Sequence, residues 1–212
     1  MKIKIENIII TYYIYNIYNM DNKWKTWKKV EYFDEKCITF LLNKLSSLFN
    51  LHKINSKNYS VLEVGSGHGR YTIIFQKLFK KILALDLESE LIDLLNNKIS
   101  EEGFNNISTI TSNFEDFKIN NKFDMILFTQ SLLWISDKQK AILKCDKLLK
   151  KNGYLVIIEP IVFLNSLDKN KLNNLMIQSL NTIICSKKFT LVHFFTFGLR
   201  FNDQIIYLLK KN

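Results

Sequence analysis

An α/β fold of three layers is predicted for this chain of 212 residues. It consists of a parallel sheet of five strands covered by helices on both faces, an antiparallel hairpin that brings the sheet to seven strands, and helices ahead of the sheet. Three observations predict it. Short apolar segments alternate with amphipathic ones; the first of them runs into the glycine-rich turn Gly65-Ser66-Gly67-His68-Gly69; and the sequence ends on two strand-like runs around Gly198 and Asn202-Asp203.

The opening, MKIKIENIIITYYIYNIYN, is rich in Tyr and Ile. Lys2 and Lys4 before an apolar stretch have the outline of a signal peptide, but Glu6, Asn7, Thr11 and Asn16 interrupt it and no small-residue cleavage site follows. It falls far short of the ~20 apolar residues that span a bilayer, so no membrane association is expected. Residues 1–19 read as a peripheral element or as an extension ahead of a start at Met20. From Asp21 to Leu51, Trp24, Trp27, Val30, Phe33, Cys37, Phe40, Leu41, Leu45 and Leu48 recur at helical spacing, predicting one or two amphipathic helices.

After a polar stretch at Lys53–Tyr59 the sheet begins. Strands are expected at Ser60–Val64, Ile82–Asp86, Ile107–Thr111, Phe123–Thr129 and Tyr154–Glu159, with helices at Arg70–Phe79, Glu88–Ser100 and Lys138–Leu149. Pro160, the sole proline, is expected to end the fifth strand at Glu159. A helix over Leu167–Ser186 then leads into strands Thr190–Phe197 and Gln204–Leu209, a hairpin. The division expected is residues 1–59 as extension and helical lid and residues 60–212 as a ligand-binding domain, within one globular whole.

Composition excludes several classes. The formal charge of +10 is almost all lysine, Arg70 and Arg200 being the only arginines, and lysine abounds along the whole chain beside Asn, Ile and Tyr. That is the signature of an A+T-rich coding sequence and a solvated lysine surface, whereas nucleic-acid readers cluster their cations and favour arginine. Cys37, Cys145 and Cys185 lack metal-type spacing, so no metal site or disulfide framework is expected, and a reducing, cytoplasmic compartment suits them.

The glycine turn lies where an open parallel sheet binds ligands, beyond the carboxyl ends of its strands. A dinucleotide fingerprint needs a small residue at its sixth position, where Arg70 stands, and a Walker-type phosphate loop is absent. What remains is Glu63-x-Gly65-x-Gly67-x-Gly69, with Asp86 closing the next strand.

With these residues the chain resembles the class I S-adenosylmethionine-dependent methyltransferases, over about Ser60 to Leu209. The resemblance implies a Rossmann-like sandwich and S-adenosylmethionine as cofactor, released as S-adenosylhomocysteine. It implies that Glu63, Gly65, Ser66, Gly67 and Gly69 form the first cofactor motif and that Asp86, with Leu87 beside it, receives the ribose hydroxyls. Asn113 and Phe114 match the adenine-contacting pair, with Asn where Asp is commoner, and Gln130, which opens the segment after the fourth strand, is the remaining cofactor-binding residue that the resemblance implies. That segment, TQSLLWISD, lacks the Asn-Pro-Pro-aromatic and Asn-Leu-Pro-aromatic motifs of base methyltransferases. It is similar to the ubiquinone/menaquinone-biosynthesis type and its small-molecule relatives. GHGRYT and IICSKKFTLV are similar to protein α-N-terminal methyltransferases, without that family's lid motif.

The resemblance implies methyl transfer to an O, N or C atom of a small molecule, with a protein N-terminus or RNA as alternative acceptors and a non-catalytic cofactor-binding protein as a third reading. A hydroxyl or ammonium acceptor needs a base. Glu159, at the fifth strand's end, and His193, among Phe194, Phe195 and Phe197, are the candidate catalytic residues; a surface carboxylate and a packed histidine are the competing structural roles. His68 could touch the cofactor or face solvent. Trp24, Trp27, Tyr32 and Phe33 are expected to form a lid, though such a stripe also suits plain packing.

Overall fold

The computed structural model describes residues 35–161, 181–183, 185–199 and 202–212. The chain divides into two compact units, Met1–Asp34 and Glu35–Asn212, and all the described residues belong to the second. The expected lid residues Trp24, Trp27, Tyr32 and Phe33, and most of the expected helix Leu167–Ser186, lie outside the described residues.

The second unit is built on one seven-stranded sheet in the order β3-β2-β1-β4-β5-β7-β6. Strands β1 (Ser60–Val64), β2 (Lys81–Asp86), β3 (Ile107–Thr111), β4 (Phe123–Thr129) and β5 (Leu149–Ile161) run parallel. Strand β7 (Asn202–Lys211) pairs antiparallel with both β5 and β6 (Phe189–Leu199), so the predicted hairpin inserts its second strand against the parallel sheet. The buried apolar runs make that arrangement: Val61, Leu62, Ile126 and Leu155 are inaccessible to solvent, as strands covered on both faces require.

Helix α1 (Glu35–Leu51) forms because Leu41, Leu45, Leu48 and Phe49 fall on one face and are buried there. Helix α2 is far shorter than the pattern suggests: Thr72–Phe75 instead of Arg70–Phe79. Its residues, Thr-Ile-Ile-Phe, are β-branched or aromatic and are weak helix formers. Helix α3 (Ser89–Glu102) ends where Gly103, at φ +68°, turns its N–H back to Ile99 and Ser100. Helix α4 (Lys138–Leu148) begins at Asp137, whose carboxylate accepts from the Lys140 N–H at 2.8 Å.

Pro160 does not end β5, which continues to Ile161. The pairing of β4 with β5 stops at Ile158, while β7 continues opposite Glu159, Pro160 and Ile161. Beyond Ile158, β5 is therefore paired on one side only, and an edge position tolerates a residue without an N–H.

The core lies between the sheet and α4, where Leu62, Ile126, Phe128, Ala141, Ile142, Cys145, Leu155 and Ile157 form one cluster. Among the described residues no helix is long and apolar enough to cross a membrane.

Candidate functional site

Strand order reverses between β1 and β4, and the carboxyl ends of β2, β1, β4 and β5 meet at that edge. Each contributes polar groups. From β1 the chain turns through Gly65, Gly67 and Gly69, all at positive φ. The Gly65 and Ser66 N–H groups both donate to Leu85 O, which pins the loop to β2.

Two of these glycines do different work. A Cβ on Gly65 would lie 2.4 Å from Ser131 Cβ, so that position is closed by the segment after β4. A Cβ on Gly67 would meet nothing within 4 Å. Asp86 faces this loop: Oδ2 accepts from the Gly67 N–H at 2.7 Å and Oδ1 from the Glu88 N–H at 3.0 Å. Leu87 beside it is an exposed apolar side chain. The Ser66 hydroxyl is buried and has no hydrogen-bond partner among the described residues, an unusual state for a side chain in a polar loop.

Glu63 is placed differently from the loop residues. Its carboxylate is fully buried in β1 and accepts from Thr72 Oγ1 at 2.6 Å and Thr129 Oγ1 at 2.8 Å. It ties α2 and β4 to β1 beneath the loop. Burial pushes its pKa up to about 7 against the two threonine bonds.

Asn113 and Phe114 lie after β3, on the far side of Asp86. The Asn113 Oδ1 accepts from Glu115 N at 2.8 Å, and the Phe114 ring is buried edge-on against Phe128. Lys144 holds this turn from α4, donating to Phe114 O at 2.6 Å and Glu115 O at 3.0 Å with its Nζ 5.2 Å from the Phe114 ring centre. Replacing Lys144 by Met keeps the stem and removes the three donors. The Asn113–Phe117 turn should then exchange its amide hydrogens at least tenfold faster while the strand amides of β1 and β4 keep their protection, as hydrogen-exchange mass spectrometry would register.

On the opposite side, Gln130 leaves β4 at φ +58°, a left-handed conformation rare for a residue with a side chain. Its Nε2 donates to Tyr71 OH at 2.9 Å and to Gln204 Oε1 at 3.1 Å, and its carbonyl accepts from the Trp134 indole at 3.0 Å. Gln204 belongs to no motif, and Tyr71 enters only within GHGRYT, with no role attached to it. No spacing signals them, because the sheet alone brings residues so distant in sequence together.

Glu159 is 3% exposed, with Oε1 accepting from the Leu132 N–H at 3.1 Å and Oε2 buried without a partner among the described residues. Burial drives its pKa up to about 8, partly countered by the Leu133 and Leu132 N–H groups and by the charge of Lys138. His193 is elsewhere. It pairs with Leu208, which pairs with Val156, three residues or about 10 Å before Glu159 along β5 and two strands away. Its ring packs edge-on against His52, 5.3 Å between centres. Glu159 and His193 therefore do not form one constellation. His68, half-buried in the glycine loop, is held neutral by burial and then by Lys98 and Arg70, with its pKa lowered to about 4.

Among the described residues no group of three or more His, Cys, Asp or Glu could hold a metal ion.

The profile of a protein family described as "Methyltransferase domain" matches residues 55–198, more than half of the chain. The malonyl-[acyl-carrier protein] O-methyltransferase of Calditerrivibrio nitroreducens is 30% identical over 95 residues, 45% of this chain and 36% of that protein. The ubiquinone/menaquinone biosynthesis C-methyltransferase UbiE of Proteus mirabilis is 25% identical over 134 residues, 56% of this chain and 53% of that one. The chain thus spans about a third to a half of the length of these curated relatives. Among solved structures, the N-methyltransferase NodS from Bradyrhizobium japonicum in complex with S-adenosylhomocysteine has the same fold. Its TM-score is 0.62 at 16% identity, covering 91% of this chain and 93% of that one.

Proposed function

Since the chain belongs to the methyltransferase-domain family, we propose that it binds S-adenosylmethionine at the carboxyl edge of β1 and β2 and transfers the methyl group to a small-molecule acceptor. The observation that carries this reading is the Gly67 cradle facing Asp86, with open space where a Cβ would stand. The residues fit the group: the cradle admits it, the buried Ser66 hydroxyl lacks a partner that a ligand's polar atom would supply, and Asp86 is an acceptor-only group. The two Asp86 bonds to Gly67 N and Glu88 N leave each oxygen a further lone pair for a ribose hydroxyl. Gly65, Ser66, Gly67 and Gly69 would line the ligand, Leu87 would cover the apolar face of the adenine, and the Asn113 side chain with the Phe114 N–H would read its edge. Glu63 would act on the loop from beneath through Thr72 and Thr129.

When bound, S-adenosylmethionine supplies a methyl electrophile already activated by the sulfonium charge. The protein aligns the partners and excludes water, an effect worth several kcal/mol. Glu159, in the fraction that is ionised near neutral pH, would take the proton of a hydroxyl or ammonium acceptor: one oxygen is anchored on Leu132, the other has no partner among the described residues, and a carboxylate with a raised pKa is a stronger base than an ordinary one. A cytoplasmic setting suits the exposed free Cys185.

Calorimetry should find S-adenosylmethionine and S-adenosylhomocysteine bound and NAD not; tighter binding of NAD would overturn the reading. Incubation with methyl-labelled cofactor and a panel of metabolites, peptides and RNA then identifies the acceptor, and label appearing only on peptide or RNA would replace the small-molecule assignment. Replacing Asp86 by Ala should weaken S-adenosylhomocysteine by about 1–3 kcal/mol. Unchanged affinity in a folded variant would mean that another residue holds the ribose.

A further inference from the structure

We propose that Gln204, a buried amide on β7, is a positioning residue for the cofactor site, acting through Gln130 on the end that would receive the amino-acid part of S-adenosylmethionine. This rests on the cofactor reading above.

Gln130 occupies a backbone region that disfavours side chains, so its surroundings must hold it there. Its N–H donates to Ile158 O at 2.7 Å and its carbonyl is taken by Trp134. Both hydrogens of its side-chain amide are used, one on Tyr71 OH and the other on Gln204 Oε1. Gln204 is 1% exposed, in a strand that continues Ile-Ile-Tyr-Leu-Leu. Leucine or isoleucine would serve a purely apolar strand there, and a buried amide destabilises the fold unless it is bonded.

From Gln130 the contacts reach the glycine loop by two routes. Tyr71 stands at the start of α2, immediately after the loop. Ser131, the next residue, lies against Gly65 and donates its hydroxyl to Val64 O. A shift of Gln204 therefore displaces both ends of the loop through one amide. The topology says which part of the ligand feels it. Asp86 is on β2, on one side of β1, and Gln130 follows β4, on the other. With the adenine on the Asn113 side, beyond β3, as proposed above, a nucleoside whose ribose meets Asp86 extends its 5′ substituent past the loop toward Gln130.

The test compares S-adenosylhomocysteine with 5′-methylthioadenosine, which has the same nucleoside and lacks the amino-acid group. For Gln204→Leu, calorimetry should give a five- to tenfold loss of S-adenosylhomocysteine affinity and a change under twofold for methylthioadenosine. Tyr71→Phe, which removes the other partner of the same amide, should show the same selective loss and serves if the first variant does not fold. Equal loss for both ligands would reveal a general structural role and overturn the proposal, as would no loss for either. A wild-type protein that binds neither nucleoside defeats the cofactor reading itself, and the proposal with it.

Discussion

Replacing Gly65 by alanine is expected to damage the fold, and replacing Gly67 by alanine to damage ligand binding, although both glycines stand in one loop at positive φ. The left-handed backbone costs a residue with a Cβ about 1–2 kcal/mol at either position. At Gly65 the new methyl would also stand 2.4 Å from Ser131 Cβ, an atom fixed to the backbone and braced by the Ser131 bond to Val64 O. Overpacking of that kind adds about 1–3 kcal/mol. The total loss of unfolding free energy for Gly65→Ala is therefore about 2–5 kcal/mol, against about 1–2 for Gly67→Ala. Ligand affinity should rank the other way for the folded fraction. A methyl on Gly67 projects into the open cradle and should weaken S-adenosylhomocysteine by at least a hundredfold. Denaturant titration and calorimetry on the two variants check both orders. Equal affinity for wild type and Gly67→Ala would place the ligand elsewhere.

The glycine loop was legible because its requirement is local: three positive-φ positions between strand and helix need glycine, and a carboxylate closing the next strand arrives beside them in any parallel sheet. Strand β4 matches its predicted limits for a related reason, since it is a largely apolar run bounded by polar turns, and β3, Ile-Ser-Thr-Ile-Thr, matches because four of its five residues are β-branched. Helix α2 was overdrawn because apolar residues persist to Phe79, while the helix stops at Phe75 and the chain goes on in turns. The effect of Pro160 depends on whether a strand stands on the side its ring nitrogen faces, which sequence does not tell. The link of Tyr71 and Gln204 through Gln130 was invisible for a deeper reason. One polar group gains its meaning from another 59 or 74 residues away, and only the strand order brings them together.

The other large expected effect is a fall in stability as pH rises from about 5 to 8.5, most of it through Glu159. Its ordinary pKa of 4.5 is pushed to about 8 in the folded protein by burial. Between those values the unfolded chain releases the proton and the folded one keeps it. The folded state then binds more protons, so stability declines with pH. The contribution is fully present below about pH 4.5 and is lost as pH passes 8. At 1.36 kcal/mol per unit, the shift corresponds to about 5 kcal/mol. Glu63, raised from 4.5 to about 7 by the same cause, adds a smaller loss, about 3 kcal/mol, completed nearer pH 7. Glu159→Gln separates the two. Its amide oxygen can still accept from Leu132 N–H, and it carries no titrating proton, so the variant should lack the decline between pH 7 and 8.5 and keep the Glu63 portion below it. Urea unfolding of both proteins at half-unit pH intervals gives the comparison. Parallel curves across the whole range would mean that Glu159 ionises in the folded protein as readily as in water. The same variant bears on chemistry: S-adenosylhomocysteine affinity should stay within twofold while turnover of a hydroxyl or ammonium acceptor falls by about 10²–10⁴, the range for loss of a general base. If turnover survives, the buried carboxyl braces the turn at Leu132 and the acceptor's proton leaves by another route.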